Sequence, residues 1–331
     1  MPATTFGDIS QRTAAWAATE MLRHATPVLV LEKFGQIKSM PKNKADTVKF
    51  RRPIPFGPAT TPLQEGVTPN AQQIGYEDVT AQLQQYGAYV EITDKVEDLA
   101  EDPVLRDASQ LSGEQAGITR EMVTYGQVKG GTNVIYANGT SRSDVNTTVS
   151  QGKQRAVTRA LHAQKARKIT NVLSGSPNTA TTPIEASYIA ITHTDVESDI
   201  RNLPSFVPTA KYGSRNVASE HELGSADNVR YVISPELSPW EGAGSATLNG
   251  MKSVGGSNVD VYPVLYVGRD AYGMVPLRGA QAIEPKVLNP NTPRGGDPLG
   301  QRGTVGWKTW HAATILNQAW MVRLEVGVTD L

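Results

Sequence analysis

The chain contains no cysteine. That excludes disulfides, thiolate nucleophiles and cysteine-ligated zinc, and it fits a protein made in a reducing cytosol. No run approaches the ~20 apolar residues needed to cross a bilayer, so no membrane segment is expected. Met1 to Ser10 has neither a basic patch nor an apolar core, so no signal peptide is expected, and the chain reads as one that stays in the cell that makes it. Aromatics are scarce at 6%, and net charge is absent, 32 Lys and Arg balancing 32 Asp and Glu. A basic coat for nucleic acid and an acidic tail protein are both excluded by that balance.

What is present is a 331-residue chain with 39% hydrophobic residues, enough for one large domain or two to three moderate ones. Its 30 glycines and 21 prolines point to many turns and extended stretches around a few compact cores. The balanced charge is unevenly placed. Residues 1–60 carry nine basic and four acidic side chains, residues 61–130 four basic and twelve acidic, and residues 142–168 seven basic and one acidic. Copies that overlap head to side can use such separation, because complementary patches steer association and fix register.

Local patterns outline the elements. Residues 8–26 read as a helix ended by Pro27, an arm ahead of any compact part. Thr47 to Phe50 reads as a strand, prolines follow at 53, 55, 58, 62 and 69, and alternation resumes from Asp78 through Ile92. Two strands around a Pro/Gly-rich tip make a long extended hairpin over 41–92, too poor in apolar residues to hold itself. Asp102 as N-cap and Pro103 at the first helical position open a helix over 102–130. Its expected buried stripe is Leu105, Ala108, Leu111, Ile118, Met122 and Tyr125. Gly113, Gly117 and Gly126 inside it each cost about 1 kcal/mol of helix propensity and read as sites of close approach. Further on, a strand is expected at 132–136, a helix at 151–168, and strands at 169–173, 187–192, 228–234, 259–268, 303–309 and 320–328, with a short helix at 194–202. The fold class is α+β.

Chemical motifs are weak. No two histidines stand at metal-binding spacing, and the run His193 to Asp199 lacks the glycine and terminal glutamate of a calcium loop; it reads as acids at a helix N-terminus. Neither a serine-nucleophile elbow nor a phosphate-binding loop is complete. No catalytic residue, cofactor or metal is expected. The cluster Lys153, Arg155, Arg159, Lys165, Arg167 and Lys168 could face phosphate, but it comes without a nucleic-acid-binding signature and reads better as a patch meeting an acidic neighbour. An enzyme on an α+β scaffold and a ring-forming connector are the rival readings.

Several blocks carry a family resemblance. They are Thr5 to Ala14, Leu31 to Gln36, Thr47 to Arg52, Pro62 to Pro69, Gln84 to Gly87, His193 to Ile200 and Leu299 to Lys308. Together they resemble the major capsid proteins of tailed bacteriophages, in the branch named after the podovirus N4. The resemblance implies an HK97-like major capsid protein fold. Its parts would be an N-terminal arm (1–40), an extended loop (41–92), a peripheral domain (93–180) with a spine helix, an axial domain (181–285), and C-terminal strands (286–331) returning to the peripheral domain. It implies hexamers and pentamers in an icosahedral head around double-stranded DNA contacted without sequence preference. Scaffolding, decoration and portal proteins would be separate chains, and no membrane is involved. The expected contacts between copies are the basic hairpin residues Lys42, Lys44, Lys49, Arg51 and Arg52 against Glu97, Asp98, Glu101, Asp102 and Asp107 of a neighbour, with Gly113 and Gly117 as contact glycines.

Overall fold

The structure is a computed structural model; it describes residues 29–41, 45–63, 65–66, 68–99, 104–173, 181–213, 215–246, 250–277, 283–288 and 295–331, together with Met21, Pro290 and Pro293. The helix expected at 8–26 therefore lies outside the described residues apart from Met21.

Two sheets organise the molecule. The first is built on Arg302–Ile315, a strand of 14 residues rich in Thr and Trp. Gln84–Thr93 runs antiparallel along one edge, with Thr93 opposite Arg302 and Gln84 opposite His311. Ile283–Leu288 and then Tyr272–Pro276 line the other edge, and Gln36–Ile37 adds a short parallel strand beyond the latter. The strand expected at 303–309 is thus one half of a longer element.

A helix over Val104–Lys129 covers one face of this sheet. Its 26 residues give a rod of about 39 Å at the α-helical rise. Ala108 and Ala116 pack there against Ile92, Val305, Trp307 and Ile283. The helix is where the sequence puts it, and of the expected stripe Ala108 and Tyr125 are buried and Leu105 and Ile118 half-buried, but the rest of the buried face differs. Leu111 and Met122 are 66% and 50% exposed, whereas Ser109, Ser112, Gly113, Ala116, Gly117, Arg120, Glu121 and Thr124 are buried. Small side chains at four-residue spacing let the helix approach the sheet closely, and Ser109 satisfies its hydroxyl on the Leu105 carbonyl, 2.8 Å away.

The second sheet has eight strands. Its order is Val134–Tyr136, Met321–Val326, Tyr262–Val267, Thr181–Thr192, Val229–Ile233, Glu222–Ala226 and Val207–Pro208, with Ile169–Leu173 also paired to Thr181–Thr192. Both faces are covered. Tyr262, Val264 and Tyr266 face Val157 and Leu161 of the helix Gln151–Ala163, while Leu265 and Val267 face Tyr125, Val128, Val30 and Leu31. Double burial explains why the strand Tyr262–Val267 is apolar throughout and does not alternate.

This topology redraws the expected division. Val134–Tyr136 pairs in parallel with Arg323–Glu325, and the helix Gln151–Ala163 packs on the same sheet. Residues 134–173 and 321–326 therefore join 181–267 in one body, and the cut expected at 180/181 runs through a sheet. Conversely, Tyr272–Pro276 and Gln84–Thr93 belong to the five-stranded sheet and not to the axial part or the hairpin.

The hairpin itself is Thr47–Pro53 against Tyr76–Gln82, with Thr47 opposite Gln82 and Pro53 opposite Tyr76. Its base is anchored within the chain: Val48, Phe50, Ala81 and Leu83 are buried with Met40, Val275 and Ala312. At about 1.5–3 kcal/mol for each large apolar side chain buried, that anchor is substantial. The base thus holds itself, contrary to expectation; the described residues of the tip, 54–75, do not share in that core.

Candidate assembly interface

The tip carries exposed apolar side chains, with Ile54, Phe56 and Ile74 at 53–60% and Leu63 at 76% exposure. Glu65 is its single charged residue. A cluster of exposed apolar side chains with a single charge among them marks a protein contact.

The basic residues of the hairpin divide. Arg51 grips Asp78 on the facing strand through two hydrogen bonds of 2.8 and 3.0 Å, which hold the Asp78 carboxyl below its ordinary range. Arg52 pairs with Glu77 in the next cross-strand position. Both arginines therefore have partners in their own hairpin, and the expectation that they await a neighbour's acids is corrected by this register. Lys49 is exposed, and Lys42 and Lys44 lie outside the described residues. Of the acidic group, Asp107 is exposed in the first turn of the long helix. Glu97 and Asp98 sit on the short helix Asp94–Leu99 without described side chains, and Glu101 and Asp102 lie outside the described residues.

Gly113 is a contact glycine, but the contact is internal. A Cβ there would fall 2.2 Å from the Met21 carbonyl oxygen, so the chain's own N-terminal backbone crosses the helix at this point. Gly117 is buried on the same face, while Gly126 meets nothing among the described residues.

Charges hidden inside the helix form a joint that local sequence patterns do not signal. Glu121 is fully buried and accepts hydrogen bonds from the backbone N–H groups of Leu31 (2.9 Å) and Val30 (3.2 Å). Arg120 pairs with Glu32, and the Tyr272 hydroxyl donates to the Leu31 carbonyl at 2.5 Å. Thr124 meets His311 Nε2 at 2.8 Å on the long strand. Burial pushes Glu121 up to about 8 and raises Glu32 as well; burial, with Arg120 nearby, drives His311 down to about 3. Residues 29–34 are thereby strapped onto the helix. A second joint surrounds Trp240, whose ring has Arg142 at 3.6 Å, Lys129 at 4.0 Å and Arg323 at 5.3 Å. The buried Glu325 carboxylate binds Arg142 (2.7 and 2.9 Å) and Arg323 (2.8 Å).

The motifs weighed for chemistry have structural work. His193 Nδ1 accepts from the Asp195 N–H as a helix cap, and the Asp195 carboxylate accepts from Lys252 and Tyr262, both at 2.7 Å. Asp199 holds Thr329 through its backbone N–H and its hydroxyl. Among the described residues, no group of His, Asp and Glu could hold a metal ion, and no helix is long and apolar enough to cross a membrane.

Comparison with known proteins agrees with a shell component. A major capsid protein of Pseudomonas phage KPP21 is 22% identical over 129 residues, covering 37% of this chain and 32% of that relative. The aligned stretch thus spans about a third of the curated relative's length. Among solved structures, the capsid of Ralstonia phage GP4 matches with a TM-score of 0.64 at 12% identity, over 89% of this chain and 87% of that one. The capsid asymmetric unit of cyanophage Pam1 matches with a TM-score of 0.59 at 15% identity, over 93% of both chains. The fold is therefore that of phage capsid subunits, the HK97-like fold. The sequence model of the phage capsid protein family matches residues 76–324, most of the chain, and the chain belongs to that family.

Proposed function

We propose that this chain is a major capsid protein whose copies close into the icosahedral head of a tailed phage, as hexamers and pentamers around double-stranded DNA. Its role is structural and not enzymatic, and its place is the virion. The observation that carries this reading is the hairpin: a base locked to its own sheet and a tip at 54–75 whose exposed apolar side chains have no cover among the described residues. Such a tip is stable on the surface of a second copy. The quoted sequence blocks support the N4-like branch. Portal, scaffolding and decoration proteins would be separate chains, and packaged DNA would be touched without sequence preference. Of the charged pairing expected between copies, Lys42, Lys44 and Lys49 against the acids from Glu97 to Asp107 remain the candidates, since Arg51 and Arg52 are paired internally. Electron microscopy of particles from cells producing the chain with its assembly partners tests the reading. Closed shells containing the chain are expected; open rings or dispersed monomers alone would overturn it.

A further inference from the structure

The helix Gln151–Ala163 turns Gln154, Val157 and Leu161 inward onto the eight-stranded sheet. Its opposite side, with Gly152, Arg155, Arg159, His162 and Ala163 exposed at three- and four-residue spacing, is made of small and basic side chains. Lys165 and Arg167, both exposed, follow the helix end. Lys165 occupies a left-handed position (φ 54°) where glycine is favoured, so a charge stands where the turn alone would be better served without a side chain. No acidic residue occurs between Asp144 and Glu185. Arg155 is held by Asp227 at 2.8 Å, but Lys153, Arg159, Lys165, Arg167 and Lys168 have no ion-pair partner among the described residues. Arg155 and Arg159 stand one turn apart, about 6 Å along the axis, where like charges weaken a helix. Between them lies a shallow depression of about 200 Å³ floored by Gly152 and Ala156, and a Cβ at Gly152 would meet nothing within 4 Å.

We propose that this helix face binds the phosphate backbone of double-stranded DNA, with Arg155 and Arg159 astride one phosphate group and Lys165 and Arg167 on phosphates further along. The inference rests on the reading that the chain encloses DNA, and it adds where the subunit touches it. Two observations select DNA over the acidic face of a second copy that the sequence favoured. Among the described residues, no large apolar side chain between Met122 and Val207 is exposed. A contact between copies would therefore lack the apolar or aromatic centre that protein interfaces are built on, whereas contacts with DNA are polar and strongly positive. The cations are also strung along the helix and past its end, from Arg155 to Lys168, which suits a linear array of phosphates. Arginine forks match phosphate oxygens with two donors at once, and the bare floor between them lets a phosphate come close.

Purified full-length subunits are titrated against a fluorescein-labelled duplex of about 24 base pairs of mixed sequence at several salt concentrations. The unaltered chain is compared with Arg159→Glu plus Lys165→Glu, and with a control of equal charge change, Lys211→Glu plus Lys308→Glu, at exposed positions on other elements. The expected result for the first variant is a loss of affinity of about tenfold or more, with the slope of log K against log salt shallower by about 2, while the control keeps the slope and stays within about twofold. Where the reversed charges prevent folding, as read by circular dichroism, Arg159→Gln plus Lys165→Gln carries the same comparison. In heads, lysine acetylation read by mass spectrometry should find Lys165 and Lys168 protected several-fold when DNA fills the shell and released when it is emptied, with Lys211 unchanged. Equal losses in both variants, or no salt-dependent binding by the unaltered chain, overturn the proposal. So does equal reactivity of Lys165 and Lys168 in filled and emptied heads. A first variant that keeps its DNA affinity but no longer associates with other copies also overturns it and gives the face to an acidic neighbour. A chain that enters no shell would refute the assembly reading beneath, while the duplex titration still decides this one.

Discussion

Replacing Gly113 by alanine puts a single methyl group where the structure has none to spare. On an open helix surface the change would favour folding by about 1 kcal/mol through helix propensity alone. Here the added Cβ would stand 2.2 Å from the Met21 carbonyl oxygen and 3.0 Å from the Met21 Cα. Both are backbone atoms, which cannot rotate out of the way as a flexible side chain would. Overpacking of this kind costs about 1–3 kcal/mol, and a clash with backbone belongs at the upper end, leaving a net loss of about 2 kcal/mol. Gly126 is the internal control, on the same helix with nothing within 4 Å of its Cβ position, so Gly126→Ala should gain the full propensity term of up to about 1 kcal/mol. For a chain of this length, 1 kcal/mol corresponds to about 1.5 °C in melting temperature. Differential scanning calorimetry should place Gly113→Ala about 3 °C below the unaltered chain and Gly126→Ala about 1 °C above it. A Gly113→Ala protein as stable as the parent would refute the reasoning and show that the N-terminal backbone can leave the helix without cost.

Two further outcomes are expected. Glu121 is raised from 4.5 to about 8, so its contribution is complete below pH 4.5 and is lost as pH rises toward 8; His311 is lowered from 6.5 to about 3, so its contribution is complete above pH 6.5 and is lost as pH falls toward 3. Stability measured by urea unfolding should therefore fall on both sides of a plateau near pH 4.5–6.5, where the two slopes cancel, and Glu121→Gln should abolish the alkaline limb and let stability go on rising up to pH 6.5. Leu111→Ser with Met122→Ser should change stability by no more than about 0.5 kcal/mol each, because both side chains are mostly exposed; a loss of several kcal/mol on chemical denaturation would show that they are core.

How much of this was legible in the sequence follows from the range of the interactions. The long helix could be placed because its sequence signals are local: an Asp-Pro pair at 102–103 of the kind that starts helices, and a glycine pair at its end. The hairpin could be placed for the same reason, since period-two alternation flanks a run of prolines. The helix's buried face could be placed only in part, at Ala108 and Tyr125. Apolarity pointed to Leu111 and Met122, but close approach to the sheet selects small side chains, and Ser109, Ser112 and Gly113 carry no hydrophobic signal. Arg120 and Glu121 look like a solvated pair until Glu32 and the backbone of Leu31 arrive from ninety residues away. The division into bodies was hidden likewise, because the parallel pairing of Val134–Tyr136 with Arg323–Glu325 links segments far apart in the chain. In the assembly interface, the signs of the charges were readable but not the cross-strand register that pairs Arg51 with Asp78.

The strand leaving the hairpin has a mechanical meaning. Tyr76–Gln82 passes through Leu83 directly into Gln84–Thr93, whose ten residues lie along the central strand from His311 to Arg302. A pull on the tip along that line does not unzip the ladder one hydrogen bond at a time; it loads the rungs together, in shear. The tip is thus the end of a taut cable spliced onto the flank of the sheet's longest strand. Tension that a neighbouring copy places on it would be spread across the body of the subunit, and the splice should be among the last parts of the molecule to yield.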